Sequence, residues 1–211
     1  MRELNVVQNS PEWFMARLGK FTSSKCELLL KEPKSKSNIF AEGALTYINE
    51  KVGEILTGEY DDFQNFSTNW GHDAEMVLKT LIKDQFEGFR NCGFYEMNDD
   101  YGGSPDAISD PYVHEIKAPA KTVHFIKFAL LKNGYDLAGV NYEYYCQCQS
   151  HMLLTERDKC LFTAYDPRIK DEKYRIKSIV VDRDEGVINR IVERATIAAE
   201  LRDQILLKIV A

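Results

Sequence analysis

The stretch GGSPDAISDPYVHEIKAPA, residues 102–120, decides how this chain reads. Two short runs, 104–109 and 112–117, flank Asp110-Pro111, a dipeptide that marks a turn. If the runs pair as a hairpin, Asp106 meets Glu115, nine positions later, on the neighbouring strand. Side chains alternate along a strand, so Glu115 and Lys117 project to one face and Ile116 to the other. Two carboxylates and an ammonium then converge. Two carboxylates alone repel and raise one another's pKa. A hard divalent cation removes that repulsion, and Mg²⁺ is commonly held by one or two carboxylates. A lysine beside them can orient or help deprotonate an attacking water, which makes the trio suited to phosphodiester hydrolysis. The plainer reading, a cross-strand Glu–Lys surface pair after an ordinary turn, stays open on spacing alone. Ile116 favours a central strand with a buried face. Pro105 and the Gly102-Gly103 pair allow a ligand to approach the backbone closely.

Working outward, periodicity and punctuation predict the order helices, strands, helices, strands, helix. Helices are expected at 10–17, opened by Ser10-Pro11, at 22–30, capped by Thr22 or Ser23, and at 39–56, ending at Gly58. A further helix over 68–86 carries Trp70, Ala74, Val77, Leu78 and Leu81 on one side. Strands are predicted at 92–98, 104–109 and 112–117, then helices at 121–132 and 138–154. A strand pair at 160–165 and 174–181 precedes an amphipathic helix over 184–208. The fold class is mixed α/β (α+β): a sheet core flanked by helices with a helical N-terminal region. The 211 residues fit one domain, with 1–90 mainly helical, 91–182 the sheet core with the active site, and 183–211 the C-terminal helix.

The formal net charge of −6 argues against a broadly cationic nucleic-acid coat. The excess acid is local: residues 61–115 hold 3 basic and 12 acidic side chains, whereas 1–60 balance and 116–211 are slightly basic. Asp61, Asp62, Asp99 and Asp100 are expected to face solvent. Five scattered cysteines without a CxxC pair read as reduced structural thiols, not as a zinc or iron–sulfur site. MRELNVVQNSPEWF does not resemble a signal peptide, and no run approaches the ~20 apolar residues of a membrane span, so a cytoplasmic protein without a membrane partner is expected.

Pro105-Asp106 with Glu115-Ile116-Lys117 resembles the PD-(D/E)xK nuclease signature. The wider pattern resembles its lambda exonuclease, YqaJ-like viral recombinase branch. Trp13 to Ser24 (WFMARLGKFTSS) is similar to the N-terminal motif of that branch, and Trp70-Gly71 to Glu75 to its W-G-x-x-x-E helix. Tyr144 to Gln149 (YYCQCQ) is similar to its Y-x-x-Q-x-Q helix, and Tyr165-Asp166-Pro167 to the strand end that follows.

The resemblance implies a restriction-endonuclease-like core and a Mg²⁺-dependent exonuclease. Such an enzyme digests double-stranded DNA from 5′-phosphorylated ends and leaves a 3′ single strand for phage-type recombination by single-strand annealing. Asp106, Glu115 and the backbone carbonyl of Ile116 would hold one or two Mg²⁺ (or Mn²⁺) ions. Glu75 would be a further acid near the metals, Lys117 would act on the water, and Gln147 would arrange the nucleophile or scissile phosphate. Gln149 is the less secure member of that pair. Arg17, Ser24 and Ser104 would bind phosphate, Arg17 and Ser24 at the 5′ end. A homotrimer enclosing DNA, an annealing protein as partner, and a phage or prophage origin in a bacterial host are also implied.

Plainer readings stand beside these. Arg17 could pair with Glu12 or Glu27, and Gln147 could be a buried amide. His114 reads as structural, and Met15, Met97 and Met152 as packing. Lys31, Lys34, Lys36 and the basic run from Arg168 to Lys177 could line a DNA path or simply be solvated. The C-terminal helix could serve the core or a subunit contact. A structure-specific endonuclease or junction resolvase with the same centre, a non-catalytic DNA-end-binding module, and a metal-binding structural protein are the alternatives.

Overall fold

The computed structural model describes residues 1–35, 37–60 and 66–211; Lys36, Asp61 and Asp62 lie outside them. In chain order the elements are β1 (Arg2–Leu4), α1 (Pro11–Arg17), β2 (Phe21–Thr22), α2 (Cys26–Leu30), α3 (Glu42–Thr57), α4 (Phe66–Ile82), β3 (Arg90–Asn91), β4 (Phe94–Glu96), β5 (Tyr101–Gly103), β6 (Ala107–Ile108) and β7 (Tyr112–Lys117). They continue with α5 (Thr122–Ala129), α6 (Gly134–Val140), α7 (Tyr142–Thr155), β8 (Lys159–Tyr165), β9 (Ile176–Asp182) and α8 (Glu185–Val210).

A five-stranded mixed sheet, ordered β3-β6-β7-β8-β9, places β7 at its centre. The hairpin register pairs Ala107 with His114 and Ile108 with Val113, which carries Asp106 to the level of Glu115 as the sequence predicts. β7 then runs parallel to β8, with Glu115 beside Phe162 and Lys117 beside Ala164. A second sheet, β1-β4-β5-β2, draws two strands from the N-terminal part of the chain.

The faces of β7 divide as alternation requires. Val113 joins the main core with Tyr145, Met152 and Leu154 of α7 and Ile191 of α8. Ile116 points the other way, into a smaller cluster with Ala74, Leu78 and Ile82 of α4 and with Tyr165. His114, on that same face, is buried among Phe86, Phe89 and Tyr112, and its Nε2 lies 2.7 Å from Ser109 Oγ. It is structural. Burial, then Arg157 and Lys79, holds its pKa down at about 4.

Local chemistry accounts for the helix ends. Ser10 Oγ accepts the N–H of Trp13 with Pro11 at the first helical position, and α3 stops at left-handed Gly58. The helix expected over 138–154 is two: Asn133 and Asp136 form a capping box for α6, and Asn141 Oδ1 accepts the N–H of Tyr144 to open α7. The expected helix over 22–30 is a three-residue 3₁₀ turn (Ser23–Lys25) followed by α2.

Three further expectations change. On α4 the buried stripe is Ala74, Leu78 and Ile82, at i, i+4 and i+8, while Val77 and Leu81 are exposed. Met15 is likewise exposed, at 61%. Gly102 and Gly103 serve internal packing, not a ligand. A methyl on Gly103 would lie 1.9 Å from Ser23 Oγ, and one on Gly102 would lie 2.5 Å from the Phe94 ring. α8 belongs to the core: Ile188, Ile191, Ala195, Ala198 and Ala199 are buried. Arg190 and Arg194 donate to the carbonyls of Leu30 and Leu29, satisfying groups that α2 leaves open, and Arg194 also donates to the Ile39 carbonyl. All five cysteines are buried free thiols.

Candidate active site

Because β6 is only two residues long, the ladder ends at Asp106. Its Oδ2 takes the place of a strand acceptor and receives the N–H of Ile116 at 2.5 Å. The half-buried carboxylate therefore lies at the edge between the two faces of β7. Burial, then Glu75 and Glu115, push its pKa well above the usual carboxylate range, against the pull of Lys79 and Lys117.

Glu115 is fully buried at 0% exposure. Lys117 contacts its Oε1, and His151 Nδ1 of α7 lies 2.9 Å from its Oε2. Burial pushes Glu115 up, yet Lys117 and then His151 prevail and hold it at about 2. Lys117 is shifted the other way. Burial opposes its charge, but Glu115 and Asp106 keep it an ammonium well beyond neutral pH. The ammonium also sits 4.8 Å from the ring centroid of Tyr144, a cation–π contact.

Glu75 projects from α4 into the same cleft and is bridged at 2.5 Å by Lys79, one turn on. The cleft, about 590 Å³, is lined by Gln8, Trp13, Glu75, Ile116, Lys117 and Tyr144, among others. Gln8 Nε2 donates to the carbonyls of Cys92 and Pro105, fastening the N-terminal segment beside Asp106.

The donor set suits a hard divalent cation. Glu75 and Glu115 both bear electrostatically on Asp106, and neither oxygen of Glu115 receives an aligned hydrogen bond despite its close neighbours. Among the described residues, no three His, Cys, Asp or Glu side chains already close around one point. Lys117 and Lys79 hold the negative charge in their place.

Arg17 and Ser104 flank Trp13, and Ser24 lies in a cavity with Arg17. The Trp13 indole N–H donates to Ser104 Oγ at 2.7 Å, and its ring carries the Arg17 guanidinium 4.0 Å from its centroid. Arg17, 8% exposed, donates to the Tyr60 hydroxyl. Among the described residues neither Glu12 nor Glu27 bridges it, and Glu27 pairs with Lys31 instead. Arg17 and Ser24 line a second cavity of about 570 Å³ together with Lys25, Lys51 and Tyr60 and with three carboxylates, Glu50, Glu54 and Glu59. Ser24 lies in the 3₁₀ turn and not at an α-helix start, so it offers a hydroxyl and no helix dipole. Lys51, buried against Glu54 at 2.5 Å, is a cation of this cavity.

Gln147 is buried on α7, on the sheet side that carries Glu115. Gln149 is structural: its amide donates to Asp182 O and accepts from Asp184 N, bolting α7 to the start of α8. The basic run after β8 is largely committed internally. Arg168 forks onto buried Asp166, donates to the carbonyls of Pro119 and Ala120 and lies over Trp70, while Arg175 is bound to Glu172 and Ile169 O.

For Tyr144, Lys79 and His151 the sequence offers unequal signals. Tyr144 lies within the motif quoted for α7, and Lys79 stands four residues after Glu75, the helical spacing of an ion pair. His151 carries no such signal.

This arrangement, a central strand presenting Glu115 and Lys117 with Asp106 at the end of its partner strand, has the fold of known exonucleases. The alkaline exonuclease LHK-Exo from Laribacter hongkongensis superposes with a TM-score of 0.79 at 24% identity, over 95% of this chain and 96% of that one. Its structure in complex with dAMP matches equally well. A phage-related exonuclease from Haemophilus somnus 129PT superposes with a TM-score of 0.72 at 18% identity, over 90% of this chain and 96% of that one. No curated protein matches the chain. The chain belongs to the YqaJ-like viral recombinase domain family, whose pattern matches residues 12–158. Among the described residues no helix is long and apolar enough to cross a membrane.

Proposed function

We propose that this chain is a Mg²⁺-dependent deoxyribonuclease that digests double-stranded DNA from 5′ ends and leaves a 3′ single strand for recombination by annealing. The observation that carries the reading is the cluster of Glu115 and Lys117 on the central strand with Asp106 at the end of its partner, opening through Lys117 and Glu75 into a cleft. Family membership and the exonuclease fold point the same way.

Asp106, Glu115 and the Ile116 carbonyl, with Glu75 beside them, would hold one or two Mg²⁺ or Mn²⁺ ions, which supply Lewis-acid stabilisation of charge on the phosphate. Lys117, kept cationic by Glu115, orients the attacking water and meets the developing negative charge. Tyr144 holds the ammonium from its other side. Gln147 arranges the nucleophile or the scissile phosphate.

The cavity of Arg17 and Ser24 takes the terminal 5′ phosphate, the guanidinium fork and the hydroxyl being its anion-binding groups, while Lys51 offsets the neighbouring Glu54. Ser104 accepts from Trp13 and keeps its own O–H for a phosphate oxygen. Trp13 thus couples recognition of the end to the cleft. The same resemblance extends the proposal to a homotrimer around DNA, to an annealing partner, and to a phage or prophage protein in the bacterial cytoplasm. A monomer in sedimentation would remove the ring and leave the active centre in place.

Polarity is tested with linear duplex labelled at the 5′ or the 3′ terminus. Early release of the 5′ label as mononucleotide is expected; earlier release of the 3′ label would overturn the assigned direction.

A further inference from the structure

Glu115 is gripped from two unequal sides. Lys117, at its Oε1, lines the cleft and faces incoming ligands. His151, at its Oε2, is 1% exposed and approaches from inside the protein. We infer that His151 is a positioning residue for Glu115: its Nδ1–H restrains the rotation of the carboxylate so that Oε1 stays turned toward Lys117, the neighbour that lines the cleft. This rests on the reading of Glu115 as a ligand of a divalent cation.

The chemistry of the pair sets the tautomer. An ionised carboxylate only accepts, so the proton must sit on Nδ1 for a 2.9 Å contact to be favourable. Both partners are closed to solvent, and water cannot take over the role of the imidazole. The ring is also mounted firmly. Gln149, two residues earlier on α7, bonds Asp182 O and Asp184 N, and Thr155 Oγ1 donates to the His151 carbonyl at 2.7 Å. A carboxylate held only by the flexible Lys117 stem could turn about its last torsion, whereas a donor on a packed helix restrains it. The 2.9 Å approach of Nδ1 to Oε2 is a close charge contact, short of an aligned hydrogen bond. Removing such an outer partner typically costs about 10–100-fold in cation affinity.

The test is calorimetric titration of Mn²⁺ into the DNA-free full chain, with the melting temperature recorded for each variant. His151→Phe keeps a ring and loses the donor; His151→Asn places an amide N–H near the Nδ1 position. The expected result is Mn²⁺ binding weakened about 10–100-fold in His151→Phe and largely restored in His151→Asn. Wild-type Mn²⁺ affinity in His151→Phe would overturn the role, as would a His151→Asn protein no better than His151→Phe. If His151→Phe does not fold, His151→Met serves as the donor-free variant under the same criteria. Wild-type protein that takes up no Mn²⁺ would instead remove the ligand reading of Glu115, and this inference with it.

Discussion

Asp106 Oδ2 accepts the backbone N–H of Ile116 at 2.5 Å, so one carboxylate both completes the sheet and faces the other acids. The two duties can be separated. Asp106→Asn keeps an oxygen acceptor for Ile116 and should alter stability by less than about 1 kcal/mol. Asp106→Ala leaves that N–H without a partner and should cost about 1–3 kcal/mol in denaturant unfolding. Both should lower hydrolysis by at least about 100-fold, since even outer partners of a metal ligand are worth 10–100-fold. An active Asp106→Asn protein would contradict the ligand role.

Lys117 is expected to separate activity from packing in another way. Lys117→Met retains the apolar stem over Tyr144 but leaves Glu115 with His151 alone. Hydrolysis should fall by about 10²–10⁴-fold, the range of a positioned acid–base group. The stability loss should stay below the ~3–5 kcal/mol of a fully buried broken pair, because Lys117 reaches the cleft. Single-turnover rates and urea unfolding on the same protein measure both quantities. A variant that degrades DNA at the wild-type rate would sink the assigned chemistry.

Substituting Arg17 should act on end choice. Arg17→Gln is expected to remove most of the preference for 5′-phosphorylated over 5′-hydroxyl duplex and to leave the slower 5′-hydroxyl rate nearly unchanged. Competition between the two substrates in one tube reads the ratio directly. An equal loss on both ends would mean that Arg17 mainly supports Trp13 and Tyr60.

The Glu3–Arg90 fork, at 2.6 and 2.8 Å, ties the edge strand β1 to β3 and should make stability pH-dependent. The bond from Arg90, outweighing burial and aided by Gly93 N and Tyr95, holds the Glu3 carboxyl below its ordinary value of about 4.3. The folded state therefore favours the ionised form, and the contribution is fully present above about pH 4.3. It is lost as pH falls through the depressed folded-state value. Glu3→Gln should be less stable than wild type by about 1 kcal/mol at pH 7, with the gap closing as the Glu3 carboxylate is protonated in acid. A gap independent of pH would assign the effect to packing.

Much of this site was legible in the sequence because it is local. Asp106, Glu115 and Lys117 lie within twelve residues, and one turn plus strand alternation places them together. What escaped has physical reasons. β1, β2 and β3 are two or three residues long, too short for a period of two to register. On α4 more apolar residues occur than one stripe needs, so composition could not show that Val77 and Leu81 are exposed while Ile82 is buried. The glycine pair gave the right signal, close approach, with the wrong partner: Ser23 and Phe94 fill that space. His151 and Tyr144 reach β7 from a helix some thirty residues away, and only tertiary packing reveals their contacts.

The central claim is cation-dependent hydrolysis from DNA ends. Its most direct test incubates linear 5′-phosphorylated duplex and covalently closed circular DNA with the protein and Mg²⁺, with and without chelator. Loss of the linear DNA alone, abolished by chelator, is the expected result. Cutting of the closed circle, or digestion that persists in chelator, would contradict it.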